Sequence, residues 1–327
     1  MKAPGIAVGL NAVILAVTRE TPKILSLRPS PQELDTLPFG PLDPEGDRTL
    51  ELTLRGWVRE RTGLDLGYVE QLYTFGDRDR DPRARAGGPR VLSVAYLALA
   101  RQAPPSGAET AVWRDVYQYL PWEDWRSGRP EIVEEVIGPR LKEWTEGSET
   151  TTLRSERGLR VEIAFGMAGS DWDGYRVLER YELLYEAGLV EESRRDRNHA
   201  GRTQATLDPK TPTLPGRPMA MDHRRIVATA LARVRGKIRY RPVVFELLPS
   251  RFTLLRLQRL VEALAGVRLH KQNFRRLVER AGLVEGTGAY EEKTGGRPAE
   301  FFRFRREVLR ERRTAGVGLP TRSVDPS

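Results

Sequence analysis

The chain has 327 residues, of which 39% are hydrophobic and 30% charged, so it is long enough for two or three globular domains with cores of their own. It contains no run of about 18 apolar residues that could cross a membrane, and its lack of cysteine excludes disulfides, thiolate nucleophiles and cysteine-ligated zinc. The net charge of +9 is uneven, because residues 223–327 hold 24 Lys and Arg against 10 Asp and Glu, whereas residues 1–222 hold 30 against 35. This asymmetry predicts a polyanionic partner for the last third, although a solvated basic surface has the same composition. The absence of cysteine also favours a reducing cytoplasm.

The first 125 residues have the pattern of a mixed α/β domain. Apolar, β-rich stretches predict strands at residues 5–17 and 23–27, and we interpret the first as a buried strand rather than a secretory signal. Asp47 is the predicted cap of a helix that runs to Thr62 and is ended by Gly63. Two further strands, "YVEQLYTFG" and "VLSVAYLALA", lie on either side of a charged loop. Strands before and after a single helix indicate a mixed sheet.

Residues 126–218 are predicted to be an insertion followed by a linker. Periodic apolar residues predict helices at 131–143 and 175–187. The stretch "DPKTPTLPGRP" opposes regular structure because its prolines cannot donate backbone hydrogen bonds. At the other end of the chain, residues 311–327 form a basic tail that we expect to be disordered.

Residues 219–310 predict a helix-turn-helix followed by a hairpin. An amphipathic helix covers residues 224–237, Thr253 caps the next helix and Gly266 ends it. The segment "HKQNFRRLVERAGL" is a further helix, and "GTGAYEEKTGGRPAEFFRFRR" reads as a glycine-tipped hairpin. This order is typical of a winged helix-turn-helix, in which the second of the paired helices enters the major groove of DNA.

The predicted DNA-contacting residues lie on the face of that helix opposite its apolar stripe. They are Lys271, Gln272, Asn273, Arg275 and Arg276. Arg can bind guanine with two hydrogen bonds, and Asn or Gln can do the same with adenine, so the face combines phosphate neutralisation with base reading. In the wing, Arg297 is placed to reach a phosphate or the minor groove. The alternatives are a charged helix without a ligand and a protein-interaction module.

These segments resemble the Nudix-related transcriptional regulators (NrtR-like). "RERTGLDLGYVEQLYTFGDRDRDPR" and "VLSVAYLALA" resemble their Nudix domain, and "DHRRIVATALARVRGKIRYRPVVFELLPSRFTLLRLQRLVEAL", "KQNFRRLVERAGLVEGTG" and "GRPAEFFRFR" resemble their winged helix. The long separation of Trp113 from Asp222 is similar to a longer branch of NAD-synthesis regulators, NadQ. The resemblance implies an α+β protein: a Nudix-like mixed α/β sandwich domain followed by a C-terminal winged helix-turn-helix.

The helix that resembles the Nudix box has lost most of its carboxylates. The pattern of a Nudix hydrolase is G-x5-E-x7-R-E-U-x-E-E-x-G-U, where U is a bulky aliphatic residue. Here Gly56 and Trp57 stand at the Arg-Glu pair, Glu60 is kept, and Arg61 replaces the next glutamate. Neither a guanidinium nor an indole can bind Mg²⁺, so we expect no catalytic residues, no metal site and no hydrolysis, unless acidic residues of the "DRDRD" loop supply ligands. We expect Trp57 to pack in the core rather than to stack on adenine.

The same helix is predicted to keep an anion-binding role. Arg55, Arg59 and Arg61 would raise a positive potential there, and Asp77 and Arg90, which bound the charged loop, complete the predicted ligand set. Ordinary solvated arginines are the alternative.

The resemblance implies a dimeric, cytoplasmic repressor of NAD biosynthesis or salvage genes. It would bind double-stranded DNA at a palindromic operator, need no cofactor and respond to a nucleotide effector, NAD, ADP-ribose or ATP. The leading alternative is a Mg²⁺-dependent pyrophosphohydrolase of ADP-ribose-like substrates with an accessory nucleic-acid-binding domain.

Overall fold

The computed structural model describes residues 5–28, 30, 32–77, 80–81, 84, 87–104, 110–199, 216–291, 298–311 and 316–317. Its larger sheet has the strand order β4-β5-β1-β2-β6, and β3 pairs with the first half of β1. Strands β1 and β5 are parallel, and the other pairs are antiparallel. The strands are β1 (Ile6–Thr18), β2 (Thr21–Leu27), β3 (Phe39–Pro41), β4 (Val69–Phe75), β5 (Arg90–Leu99) and β6 (Ala111–Asp115).

Both faces of this sheet are covered, which explains the nearly continuous apolar runs of β1 and β5. Along β1, Leu10, Ala12 and Ile14 belong to a cluster with Leu54 and Val58 of helix α1 (Leu50–Thr62). The alternate residues Val13 and Leu15 belong to a second cluster on the opposite face. The predicted strands and helix are therefore confirmed, whereas β3 and β6 were not predicted because they are short and bounded by Pro, Gly and polar residues.

Helix α1 begins later than predicted. Thr49, not Asp47, is its N-cap and accepts a hydrogen bond from the backbone N–H of Leu52. Asp47 instead accepts from the N–H of Asp43 at 2.7 Å and so closes the preceding turn. Either residue type can cap a helix, so the sequence alone does not decide between them. Gly63 ends the helix as predicted, with φ of 68° in the left-handed region.

The segment that follows β6 is helical over its described residues. Its elements are α2 (Val116–Tyr119), a 3₁₀ turn (Pro121–Glu123), a π-helical turn (Val133–Ile137), α3 (Gly138–Glu146), α4 (Thr151–Phe165), α5 (Val177–Glu186) and α6 (Glu191–His199). Helices were predicted near α3 and α5. Helix α4 was missed because two threonines begin it and Gly158 interrupts its apolar spacing. The predicted linker lies mostly outside the described residues, as does most of the predicted tail.

The last part of the chain is a winged helix-turn-helix. It contains α7 (His223–Tyr240), a 3₁₀ turn (Val243–Leu247), β7 (Phe252–Thr253), α8 (Leu254–Ala265), α9 (Lys271–Arg280), β8 (Val284–Glu291), β9 (Ala299–Phe304) and α10 (Val308–Glu311). Thr253 caps α8 and Gly266 ends it at φ of 72°, as predicted. The small sheet has the order β7-β9-β8, so the hairpin lies beside the start of α8.

Helix α7 packs against both the large sheet and the winged helix-turn-helix. Its buried apolar residues share one cluster with Val13, Leu15 and Leu97 of the large sheet and with Leu257 of α8. A helix that is apolar over so wide an arc must be covered on more than one side. The sequence predicted domain boundaries near residues 125 and 218. The buried residues of this cluster come from all three of the segments that these boundaries separate.

The end of α8 also touches the first part of the chain. The Tyr117 hydroxyl donates to the Ala263 carbonyl at 2.7 Å, and the Trp125 N–H donates to the Gly266 carbonyl at 2.7 Å. The helix-turn-helix is thus packed directly on the segment that follows β6.

Candidate nucleic-acid interface and ligand site

Helix α9 presents an exposed polar face. Phe274 and Val278 are buried against the core, four residues apart on one side of the helix. The five predicted DNA contacts of this helix, Lys271, Gln272, Asn273, Arg275 and Arg276, are all exposed, as are Glu279 and Arg280 in its last turn. The face is therefore open to a partner of DNA dimensions, as the predicted docking geometry requires.

Two of these side chains are held by neighbours on the same helix. Arg275 Nε lies 2.8 Å from a Glu279 carboxylate oxygen, and both side chains are about half exposed or more, at 62% and 47%. Arg276 donates to the Asn273 amide oxygen at 3.2 Å. Exposed pairs of this kind contribute about 0–1 kcal/mol, so a stronger acceptor displaces them readily.

The wing is a hairpin of β8 and β9. Thr287 Oγ1 donates to the Phe301 carbonyl at 2.8 Å across a point where the register shifts, and Arg303 pairs with Glu285 at 2.6 Å. Arg297, the predicted wing contact, lies outside the described residues.

In α1, the helix that resembles the Nudix box, the indole of Trp57 stands where that pattern has a metal-binding glutamate. Trp57 packs on the cluster beneath α1, as predicted, and its ring lies against Gly40 of β3 so closely that a Cβ at Gly40 would be 2.7 Å from Cε2 of the indole. The Arg61 guanidinium lies over this ring, 5.0 Å from its centroid. The indole N–H of Trp57 is buried without a hydrogen-bond partner among the described residues. This nitrogen lies directly against Gly40, so the indole has a packing role here.

The other predicted ligand residues are already engaged. Arg55 donates to the carbonyls of Leu66 and Gly67 at 2.7 and 3.1 Å and pairs with Glu51, so it ties α1 to the following loop. The remaining two arginines are also paired. Arg59 lies 2.8 Å from Asp65 at the surface, and Arg90 donates to the Gly76 carbonyl at 2.7 Å.

Asp77, next to the Gly76 carbonyl that Arg90 binds, lies away from the arginines of α1. Its carboxylate accepts from Arg225 of α7 at 2.8 Å, and α7 covers the face of the sheet opposite α1. The sequence analysis grouped Asp77 with the arginines of α1. In the structure Asp77 binds Arg225 instead, and on α1 the Arg61 guanidinium lies over Trp57.

A buried polar network at the start of α7 was not predicted. The Leu37 N–H donates to Nδ1 of His223 at 3.0 Å, and the Asn11 amide lies 3.0 Å from Nε2. Because Nδ1 accepts a hydrogen bond, the neutral ring carries its proton on Nε2. The Asn11 side chain must then turn its amide oxygen, not its nitrogen, toward Nε2 to accept that proton. Ser93 of β5 bonds to the same amide at 2.5 Å. Burial lowers the pKa of His223 to about 4, and the nearby Arg80 and Arg195 add to this effect.

Next to it, the loop after β4 holds the first turn of α7. Arg80 binds both carboxylate oxygens of Asp222, at 2.8 and 2.5 Å, with 4% and 10% of the two side chains exposed. The signal available in the sequence is the "DH" pair at residues 222–223. Both residues connect the large sheet to α7.

Two further points concern metal-binding clusters and membrane-spanning helices among the described residues. No three His, Cys, Asp or Glu side chains among them come together in a way that could hold a metal ion. None of the helices described is both long and apolar enough to cross a membrane.

The architecture is that of a Nudix-like domain with a C-terminal winged helix, in agreement with the predicted fold class. Residues 244–304 match the family described as the NrtR DNA-binding winged helix domain. The structure is similar to that of Shewanella oneidensis NrtR in complex with a 27mer DNA, with a TM-score of 0.54, 21% identity, and coverage of 93% of this chain and 95% of that one. A second crystal structure of Shewanella oneidensis NrtR gives a TM-score of 0.53 at 21% identity, with coverage of 92% of this chain and 95% of that one.

A curated relative supports the same relationship. The chain is 24% identical over 268 residues to the ADPR responsive transcriptional repressor NtrR of Acinetobacter baylyi, which covers 82% of this chain and 68% of the relative. The resemblance to NrtR seen in the sequence is thus confirmed, and residues 244–304 form a winged helix of the NrtR type.

Proposed function

We propose that this protein is a ligand-responsive, DNA-binding transcriptional repressor. The observation that carries the proposal is the exposed face of α9, within a segment that matches a DNA-binding winged helix family. The last third of the chain, with 24 basic against 10 acidic residues, supplies the positive field that a phosphate backbone attracts.

The energetics of α9 favour exchange of its internal pairs for DNA. Each exposed contact of Arg275 and Arg276 contributes about 0–1 kcal/mol. A bidentate contact to the right base contributes about 1–3 kcal/mol of discrimination. Gln272 and Asn273 add amides that suit adenine. A face with both kinds of side chain can read sequence as well as neutralise phosphate.

The Nudix-like domain is the proposed sensor, and ADP-ribose is the proposed effector. The relative from Acinetobacter baylyi is named as ADPR responsive, which favours ADP-ribose over the alternatives NAD and ATP. The guanidinium of Arg61, which lies over the Trp57 ring, offers donors to a phosphate or ribose oxygen. Target genes in NAD biosynthesis or salvage are part of this proposal.

The domain is proposed to bind its nucleotide without hydrolysing it. Trp57 and Arg61 replace carboxylates of the hydrolase pattern and Gly56 replaces its arginine, which leaves Glu60 as the retained acid of the later pair. A single carboxylate is a poor ligand set for Mg²⁺. The similarity to repressors supports the same conclusion.

Dimerisation on a palindromic operator completes the proposal. A single recognition helix reads only one half-site, and a two-fold dimer would present two such helices about one helical turn apart.

Binding to the DNA upstream of the protein's own gene tests the proposal. Fluorescence anisotropy across a salt series should show an affinity that falls steeply with salt. The Arg275→Ala/Arg276→Ala variant should bind at least about tenfold more weakly, since two charge-assisted contacts are lost. The control is Arg154→Ala/Arg160→Ala on α4, which removes the same charge outside the winged helix. Equal losses in both variants would contradict the placement of the interface on α9.

The effector is tested by adding ADP-ribose, NAD and ATP to the preformed complex. Because binding free energies are reciprocal, a nucleotide that weakens DNA binding must itself bind more weakly when DNA is present. Release of AMP from ADP-ribose in the presence of Mg²⁺ would support the hydrolase alternative instead.

A further inference from the structure

The turn between β1 and β2 has an unfavourable backbone. Arg19 and Glu20 both have positive φ, 49° and 63°, in a two-residue hairpin turn. Turns of this kind favour Asn and Gly, because other residues are strained in the left-handed region. A glutamate held there points to a role for its side chain or its exact position.

Glu20 reaches from the large sheet to the helix-turn-helix. One carboxylate oxygen lies 3.5 Å from Nε of Arg259 on α8, and the other lies 3.5 Å from Nη1 of Arg268 in the turn before α9. Its carbonyl accepts from Arg126 at 2.5 Å, and Asp124 in turn fixes Arg126 with two contacts of 2.7 Å. The hairpin turn is therefore bound by Arg259 and Arg268 of the helix-turn-helix and by Arg126 of the segment after β6.

A second carboxylate keeps the two arginines in place independently of Glu20. Glu262, which is 1% exposed, lies 3.2 Å from Arg259 and 2.8 Å from Arg268. Burial alone would raise the pKa of Glu262, but hydrogen bonds from the Leu269 N–H, Arg268 and Gln258 outweigh it and lower the pKa. Glu262 is thus the fixed ligand of this pair.

Glu20 is the exchangeable ligand. Its contacts are longer than those of Glu262, at 3.5 Å against 2.8 and 3.2 Å, and 45% of its side chain is exposed. The two arginines are 38% and 44% exposed. With both carboxylates bound the cluster is neutral, and loss of Glu20 leaves one net positive charge next to the recognition helix.

We propose that Arg259 and Arg268 are a further contact for a DNA phosphate, and that Glu20 of the sensor sheet occupies this contact in the free protein. Guanidinium groups bind carboxylate and phosphate oxygens with the same geometry, so one can replace the other. In a helix-turn-helix the first helix crosses the DNA backbone, which places α8 and the following turn beside phosphates. This inference rests on the proposed DNA binding.

The consequence is competition between the sensor sheet and DNA for two arginines. DNA must displace Glu20 from the two arginines. A ligand that moves the β1–β2 turn therefore changes the free energy of DNA binding, and DNA changes the free energy of binding that ligand by the same amount. Glu20 is a positioning residue in this scheme and needs no contact with DNA.

A double-mutant cycle on the full-length protein tests the competition. Glu20→Gln should raise DNA affinity about three- to tenfold, the range expected for loss of two exposed ion pairs. Arg259→Gln/Arg268→Gln should weaken binding and reduce the slope of log affinity against log salt by about 0.9 to 1.8, one or two phosphate contacts. In that background Glu20→Gln should change affinity by less than about twofold, because its partners are gone.

Two controls separate the contact from charge and turn strain. Glu20→Asp keeps the charge but shortens the reach, so it should behave like Glu20→Gln. Arg19→Gly relaxes the neighbouring left-handed residue and should leave affinity within about twofold of the unmodified protein. If the double glutamine variant does not fold, Arg268→Gln alone replaces it in the cycle.

The outcomes distinguish this inference from the proposed function. An equal gain from Glu20→Gln in both backgrounds would overturn the competition, and an unchanged salt slope in the arginine variants would overturn the phosphate contact. If the unmodified protein shows no salt-dependent DNA binding, or the α9 variant binds normally, the proposed function itself fails.

Discussion

Glu123 and Arg235 form an ion pair of 2.6 Å inside the protein, with at most 1% of either side chain exposed. They lie 112 residues apart in the chain, one in a 3₁₀ turn and the other on α7. Arg180 of α5 binds the same carboxylate at 2.5 Å, and the ring of Trp172 lies 5.1 and 5.6 Å from the two guanidinium carbons. One buried carboxylate therefore connects the 3₁₀ turn after β6, helix α5 and helix α7.

Removing this carboxylate charge should destabilise the fold strongly. Glu123→Gln leaves two buried guanidiniums without a counter-ion, and loss of one partner of a buried pair costs about 3–5 kcal/mol. Urea unfolding measures the change. Glu186→Gln is the matched control, because its pair with Arg160 is 43% and 50% exposed and contributes below about 1 kcal/mol. Similar losses in both variants would show that the buried carboxylate has no special role.

A glycine next to this pair is expected to resist substitution. A Cβ at Gly266 would lie 2.5 Å from Nη2 of Arg235 and closer still to the Glu123 carbonyl, and φ there is 72°. Gly266→Ala should therefore cost more than the roughly 1–2 kcal/mol of left-handed backbone strain alone. Gly236→Ala, in the middle of α7 with no atom near its Cβ, should instead stabilise by about 0.5–1 kcal/mol. Thermal unfolding of the two alanine variants checks the opposite signs.

The proposed sensor site predicts unequal roles for two arginines of α1. Arg61→Ala removes the guanidinium that lies over Trp57 and should weaken ADP-ribose binding about tenfold or more, as expected for loss of a hydrogen bond from a charged group. Arg59→Ala removes the same charge from a side chain that is 71% exposed and paired with Asp65, so affinity should change by less than about twofold. Isothermal titration calorimetry measures both, and the opposite order would move the site away from Trp57.

His223 should make stability depend on mildly acidic pH. Burial lowers its pKa from 6.5 to about 4, so between these values the unfolded chain binds a proton that the folded protein does not. Stability contributed by the neutral ring is fully present above about pH 6.5 and is lost as pH falls toward 4, by about 3 kcal/mol in total. Urea unfolding from pH 7.5 to 4 measures the loss, and the His223→Asn variant should lack this part of it. A parallel pH dependence in the two proteins would contradict the assignment.

The sequence by itself determined the local elements and the residue types on the exposed face of α9. The apolar positions Phe274 and Val278 set which side of α9 is buried, and the five polar residues singled out in the sequence are exposed. Thr253 and Gly266 cap α8 because capping depends on residues within one turn. The substitutions Gly56, Trp57 and Arg61 can likewise be read directly. Signals of this kind are short-range, so a single sequence carries them completely.

The tertiary structure alone decided which partner each charged side chain has. Arg55 was expected to face a ligand but ties α1 to its own loop, and Asp77 was grouped with α1 but binds Arg225 on the other face of the sheet. The buried pair of Glu123 and Arg235 and the contact of Glu20 with Arg268 join residues from distant parts of the chain. An arginine at the surface and one in the core have the same local pattern. Their difference arises only when the path of the chain brings a carboxylate or a carbonyl to them and removes water from both.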